Sequence, residues 1–295
     1  MTHTAFRQQT LAENVALSGT GVHSGKKNHI IIRPARENHG IKFRRVDLPG
    51  TQDIPALFKR VVDTSLATVL GINGAIVSTI EHLMASFAGL GIDNALVEMD
   101  EYEMPIMDGS AKDFTRAITA AGIEPQRLPR HVMIIKKPVR IQNQDKFVEV
   151  LPDPCFKITC SIEFDHPLIG KQTITFDRTK NNFEKEISQA RTFGFIQDLE
   201  LLKKFSLGKG GSLDNAIVID KDRILNSEGL RYPDEFVRHK MLDSLGDFSL
   251  LGMSIQGHII SHKSGHTLNH LFIQKLLDTR DAWETGPAAE RQART

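Results

Sequence analysis

The strongest constraint on this chain is a pattern that it uses twice. Residues 78–89, STIEHLMASFAG, align with residues 235–246, EFVRHKMLDSLG, so that His82, Met84 and Gly89 coincide with His239, Met241 and Gly246. Both segments carry the apolar spacing of a helix. Each is followed by a Leu–Gly turn and a strand-like stretch. Three identities carry little alone; the shared order of helix, glycine turn and strand carries more. The fold class expected is α+β, as two similar domains. Each would be a sheet layered with helices, packed face to face, with His82 and His239 at the interface.

That interface has the makings of a metal site. His239 and Asp243 are four residues apart, so an imidazole and a carboxylate project from one helical face. His82 supplies a third ligand. Two histidines and a carboxylate suit Zn2+, with a fourth position left for water; Fe2+ is the alternative ion. Taken singly, each histidine is more often a surface or packed residue, and an HxxxD spacing is common by chance. Glu81 points about 100° away from His82 on a helix. It can reach a water at the metal and act as general base. Its bland role is to close a capping box begun by Ser78. Position 85 is Ala85, which excludes an HExxH metalloprotease.

His258, His262, His266 and His270 also recur every four residues. Gly257, Gly265 and the β-branched pair Ile259–Ile260 argue against one continuous helix. Strand, turn and helix are predicted instead, with Ser264 capping a last helix that starts at His266. A helix N-terminus disfavours a charged imidazole. Asp247, four residues after Asp243, would offset this, orient His266 and keep it protonated as a general acid or oxyanion stabiliser. His270 remains an alternative ligand.

Strands are predicted at 28–33, 40–44, 68–70 and 94–99, with a second helix at 111–121. The polar, proline-punctuated stretch EPQRLPR at 124–130 is the expected boundary between an N-terminal domain, 1–126, and a C-terminal domain, 131–285. The second domain should contain strands at 132–135, 147–151, 157–164, 172–176 and 253–260, and the last helix at 266–277. Residues 286–295 read as a flexible tail. Within 194–216, Phe195, Leu199, Leu202 and Ser206 trace one face of a short amphipathic helix, with Leu201 and Phe205 beside it. Local packing and a wall for an apolar ligand fit that segment equally. The glycine-rich 208–211 lacks phosphate-motif spacing.

A net charge of +1 with basic residues in scattered pairs excludes a nucleic-acid partner on electrostatic grounds. Cys155 and Cys160 are the only two cysteines and form no CxxC pair. They read as buried thiols in a reducing, cytoplasmic protein. The N-terminus lacks the apolar core of a secretory signal. No apolar run approaches the ~20 residues of a membrane span, so a lipidic substrate would be met from the water side. A monomer is expected.

The motifs together resemble the UDP-3-O-acyl-N-acetylglucosamine deacetylases, zinc enzymes of the committed step of lipid A synthesis in Gram-negative bacteria. They are SGTGVHSGK at 18–26, STIEHLMASFAGLGIDN at 78–94, PIMDGSA at 105–111, ARTFGF at 190–195, EGLRYPDEFVRHKMLDSLGD at 228–247 and KSGHTLNH at 263–270. The resemblance implies removal of acetate from the 2-amino group of UDP-3-O-[(R)-3-hydroxyacyl]-N-acetylglucosamine. It implies zinc on His82, His239 and Asp243, Glu81 as base, and His266 as the protonated partner at the leaving amine, supported by Asp247. It further implies Thr192 at the tetrahedral oxyanion and Lys240 and Lys263 toward the diphosphate. Phe164 would stack on uracil. Phe193 and a βαβ-like insert near 193–220 would form an acyl passage. Competing readings are a binding protein on the same scaffold, a different zinc amidohydrolase acting on another acetamido sugar nucleotide, and a purely structural metal site. A structural site is usually closed and cysteine-rich.

Overall fold

The computed structural model describes residues 6–198 and 204–288. The first half runs β1 (Arg7–Leu11), β2 (Val15–Thr20), β3 (Lys27–Pro34), β4 (Ile41–Arg45), β5 (Ile54–Pro55), β6 (Val61–Asp63), β7 (Val69–Ile72), β8 (Ala75–Val77), α1 (Glu81–Leu90), β9 (Ala95–Met99), α2 (Lys112–Ala121) and β10 (Ile123–Pro129). The second runs β11 (His131–Ile135), β12 (Val139–Asn143), β13 (Lys146–Leu151), β14 (Phe156–Glu163), β15 (Lys171–Asp177), α3 (Phe183–Glu186), β16 (Phe193–Phe195), β17 (Ile217–Asp220), β18 (Arg223–Ile224), α4 (Glu235–Ser249), β19 (Ser254–His262), α5 (His266–Asp278) and β20 (Trp283–Pro287).

The strands follow the period-two rule where one face meets the core. In β3, Asn28, Ile30 and Ile32 are buried and Lys27 and His29 are exposed. The main sheet of the first half has the order β2-β3-β9-β4-β5. In the second half β12-β13-β19-β14-β15 repeats it: β19 pairs antiparallel with β13 and parallel with β14, as β9 pairs with β3 and β4. Each half also closes its ends with an antiparallel pair, β1 with β10 and β11 with β20. The fold is α+β with two similar units, as the repeated motif implied.

The helices α1 and α4 lie against each other. Every residue from Glu81 to Phe87 is buried, and α4 buries residues on all sides. A helix apolar or enclosed all round needs protein on every face. Gly246 permits the closest approach: a Cβ there would sit 2.2 Å from the Glu81 carbonyl oxygen. The backbones therefore touch at the first turn of α1.

Two local expectations are corrected, at Ser78 and Ser264. The stretch 124–130, expected as a boundary, forms most of β10, hydrogen-bonded to β1, and β11 follows at His131. Its exposed edge position tolerates Pro125 and Pro129. Ser78 does not cap α1. The cap position is Ile80, without a side-chain bond, because Ser78 N–H is bonded to Tyr102 O in a bridge to β-structure. Ser264 does not cap α5 either. Gly265 occupies that position, and Ser264 Oγ lies 3.0 Å from Ser261 Oγ. In the insert, β16 and β17 are parallel neighbours joined by a crossover. Leu199, Leu201 and Leu202 of the expected amphipathic helix lie outside the described residues. Its neighbour Phe205 is exposed.

Candidate active site and metal centre

The first turn of α1 and the middle of α4 meet at three side chains. His82, His239 and Asp243 are all buried, and one ligand atom from each lies within 4.8 Å of the others. His239 Nε2 is 3.4 Å and His82 Nε2 3.6 Å from Asp243 Oδ1. The surroundings fix how these atoms face. His239 Nδ1 is 3.0 Å from Ala190 O, which can only accept, so Nδ1 carries the proton and Nε2 keeps its lone pair. Burial pushes the His239 pKa down to about 4 against the pull of Asp243, so the imidazole is neutral. Burial opposes ionisation of Asp243, but the polar ring of His239 and the ammonium charge of Lys240 outweigh it and hold the carboxyl well below its ordinary range. Lys240 Nζ donates to Asp243 Oδ2 at 2.8 Å, which leaves Oδ1 free toward the histidines. Two imidazole nitrogens and one carboxylate oxygen converging on a point are a fitting donor set for a divalent cation.

Glu81 sits beside this cluster. Burial raises its pKa, opposed by His266 and His82. Thr68 N–H donates to Glu81 Oε2 at 3.2 Å, and Oε1 is 3.9 Å from His266 Nε2. His266 opens α5, as expected from the sequence. Its Nδ1 lies 2.8 Å from Asp247 Oδ2, so the proton on that bond points the other nitrogen at Glu81. Burial works against its charge, but Asp247, then Glu81 and Asp243, raise its pKa to about 10. Asp247 is itself held by Thr68 Oγ1 at 2.6 Å and Asn269 Nδ2 at 2.8 Å.

Thr68 and Asn269 went unseen in the sequence. Thr68 comes from the loop before β7 and Asn269 from one turn past His266; only the latter spacing, three residues on one helix face, offered a signal. Another unsuspected feature is the fully buried Arg191. Its Nε donates to Glu235 Oε1 at 2.9 Å and its backbone N–H to the same oxygen at 3.0 Å. That pair fixes the 190–192 strand end against the start of α4.

The remaining expected residues are distributed as follows. Thr192 is held by backbone bonds to Gly109 O and from Ile217 N–H, both 2.8 Å, two residues beyond the Ala190 carbonyl that holds His239. Phe193 packs edge-on against Phe236 at 5.0 Å and against His239 at 6.3 Å. Phe164 stacks edge-on on Phe193 at 5.7 Å, and Phe195 lies beyond it at 6.2 Å, so an aromatic row leads away from the metal cluster. Lys263 is engaged at the end of β19 by Asp145 at 2.6 Å and Glu163 at 3.7 Å, not by the cluster. His270 is not part of the cluster. It packs at 6.1 Å from Phe58, and its Nδ1 is buried without a partner among the described residues. No helix among the described residues is long and apolar enough to cross a membrane.

The sequence pattern of the family described as UDP-3-O-acyl N-acetylglycosamine deacetylase matches residues 8–278. The chain is 48% identical over 292 residues to the UDP-3-O-acyl-N-acetylglucosamine deacetylase of Myxococcus xanthus, covering 99% of this chain and 93% of the relative. It is 50% identical over 292 residues to the protein of the same name from Idiomarina loihiensis, covering 98% and 95%. The Coxiella burnetii protein of that name is 48% identical over 281 residues, covering 95% and 93%.

Proposed function

The chain belongs to the UDP-3-O-acyl N-acetylglycosamine deacetylase family, and from that premise we propose how its own residues carry out the reaction. It is a metal-dependent amidase that hydrolyses the N-acetyl group of UDP-3-O-[(R)-3-hydroxyacyl]-N-acetylglucosamine, releasing acetate and the free 2-amine, in lipid A biosynthesis. The observation that carries this reading is the convergence of His82, His239 and Asp243 beside two acid–base groups with opposite tasks.

We infer that His82, His239 and Asp243 hold Zn2+, since two imidazoles favour it over Mg2+ or Ca2+; Fe2+ is the other candidate. When bound, the ion supplies Lewis acidity for a carbonyl and brings the pKa of water toward ~7. Glu81 takes the proton of the attacking water. Its carboxylate is oriented by the Thr68 N–H and, in its enclosed setting, holds a proton more readily than an exposed acid would. His266, charged through Asp247, offers its Nε2 proton to the departing amine. Thr192 and His266 stabilise the oxyanion. Phe193 and the row beyond it receive the acyl chain, Phe164 stacks on the uracil, and Lys240 and Lys263 attract the diphosphate. Every member of the site comes from one chain, so a monomer suffices. The buried thiols Cys155 and Cys160 suit a reducing, cytoplasmic setting.

The test is acetate release from the acylated UDP-sugar, with chelation and Zn2+ add-back, beside the same nucleotide without its acyl chain. Zinc-restored release that needs the acyl chain is expected. Equal release from the unacylated nucleotide would instead favour a broader amidohydrolase. No release from folded, zinc-loaded protein would leave a binding protein on this scaffold.

A further inference from the structure

A cavity lies between the C-terminal ends of α1 and α4. It measures about 390 Å3, within the ~300–1,000 Å3 range of small-molecule sites. Both halves build its walls: Ile41 and Phe87 from the first, Phe156, Phe176 and Phe248 from the second. None of Glu81, His82, His239, Asp243, Asp247 and His266 lines it. The catalytic groups occupy the first turn of α1, and the cavity wall uses its last.

One feature of this apolar chamber asks for a ligand. Arg178 lines it, and among the described residues its guanidinium has no hydrogen bond or ion pair. Its charged neighbours are Arg130 and Asp93. Asp93 is already engaged by Arg130 Nη2 at 2.7 Å and by Gln9 N–H at 2.7 Å. The trio therefore carries one positive charge in excess. Burial, reinforced by Arg130, depresses the Arg178 pKa to about 10. Arg178 is half-buried at the chamber wall, and a cation partly withdrawn from water without a counter-charge is stabilised by an anion that joins it. Exposed Asn38, Leu57 and Gly252 among the lining residues give the chamber a mouth.

We propose that this cavity binds a single-chain amphiphile with an anionic headgroup, a long-chain carboxylate or alkyl phosphate, with its head on Arg178 and its tail along Phe87, Phe176 and Phe248. The site is independent of the catalytic acyl passage at Phe193. The alternative task for Arg178 is to offset the carbonyls at the end of α1, beside Gly91. That task needs no ligand.

Titration calorimetry of the metal-loaded full chain with dodecanoate and with dodecyl phosphate, below micelle-forming concentrations, separates these. Both are expected to bind, and the tighter of the two identifies the source. Dodecanol should bind at least ~10-fold more weakly, and Arg178→Met should weaken dodecanoate by roughly 10–100-fold, the worth of a charged hydrogen bond. Ala88→Phe, which fills the chamber without touching its charge, should abolish binding even if Arg178→Met fails to fold. Phe193→Ala should change neither. Failure of both anions to bind overturns the proposal, as does dodecanol binding equal to dodecanoate. So does binding that is lost in Phe193→Ala and kept in Ala88→Phe. An Arg178→Met protein with a lower Tm and unchanged affinity would leave Arg178 only its helix-end task.

Discussion

In the first half of the molecule β3, β9 and β4 lie side by side with β4 parallel to β9; in the second, β13, β19 and β14 repeat that arrangement with β14 parallel to β19. Each central strand is preceded by a buried helix, α1 or α4, and followed by another, α2 or α5. The chemistry does not repeat. The first half places Glu81 and His82 at a helix start, and α2 adds no member to the cluster. The second strings His239, Asp243 and Asp247 along α4 and opens α5 with His266. The segments inserted before the helices differ too. The β6–β8 sheet brings Thr68 beneath Asp247, whereas the β16–β18 sheet brings Phe193 beside His239. A duplicated backbone has thus been given complementary side chains, and the site exists only where the halves meet.

The comparison is most severely tested at the ligands. His82→Ala leaves two donors, both from the second half, whereas His239→Ala leaves one from each. Metal content and turnover should fall together in both, by more than the ~10–100-fold typical of a lost supporting hydrogen bond. Full metal occupancy in His82→Ala would mean that the halves do not share the ion. Glu81→Gln comes next. It removes the first half's acid–base group but keeps its shape, so kcat should fall by roughly 10²–10⁴ while metal content stays.

Asp247→Asn probes the second half's contribution. His266 is raised from 6.5 to about 10, so its charged form persists below that pH and is lost as pH rises through it. If the charged form is the working one, kcat/KM declines on the alkaline side, and a bound cation draws that limb lower. Removing the Asp247 charge should move the limb toward neutrality and reduce activity at pH 8 by ~10–100-fold. An unmoved limb would show that Asp247 does not act through His266.

Much of this was legible because it depends on short-range periodicity. The i, i+4 pair His239 and Asp243 shares a helix face, and the repeat pointed to His82 as its counterpart. The α3.6 and β2.0 periods located α1, α2, α4, α5 and the long strands to within a few residues. What escaped depends on distant segments. Thr68 reaches Asp247 across 179 positions, which no local pattern encodes. The β10 strand lacks alternation because it pairs along an exposed edge, so its prolines read as a boundary and the strand went unseen. Ser78 had the composition of a capping box, but Thr79 at φ 59° turns the chain before α1, and the Glu81 carboxylate faces His266 instead.

The mildest expected effect separates the two equivalent glycines. Gly89 and Gly246 align in the repeat, yet they face different neighbours. A Cβ at 246 would lie 2.2 Å from the Glu81 carbonyl oxygen, whereas one at 89 would lie 2.3 Å from the Phe183 ring. Backbone in a buried helix cannot step aside without moving the helix; a ring on the four-residue α3 can rotate and shift. Both alanine variants should lose stability by overpacking, about 1–3 kcal/mol, with Gly246→Ala the costlier. Only Gly246→Ala should also lower kcat, since the helix it displaces carries the base and His82 in its first turn. Thermal melts and steady-state rates on the two proteins distinguish the cases. Equal losses of stability and activity would show that the two helix ends are equivalent and that the asymmetry at α1 has no catalytic weight.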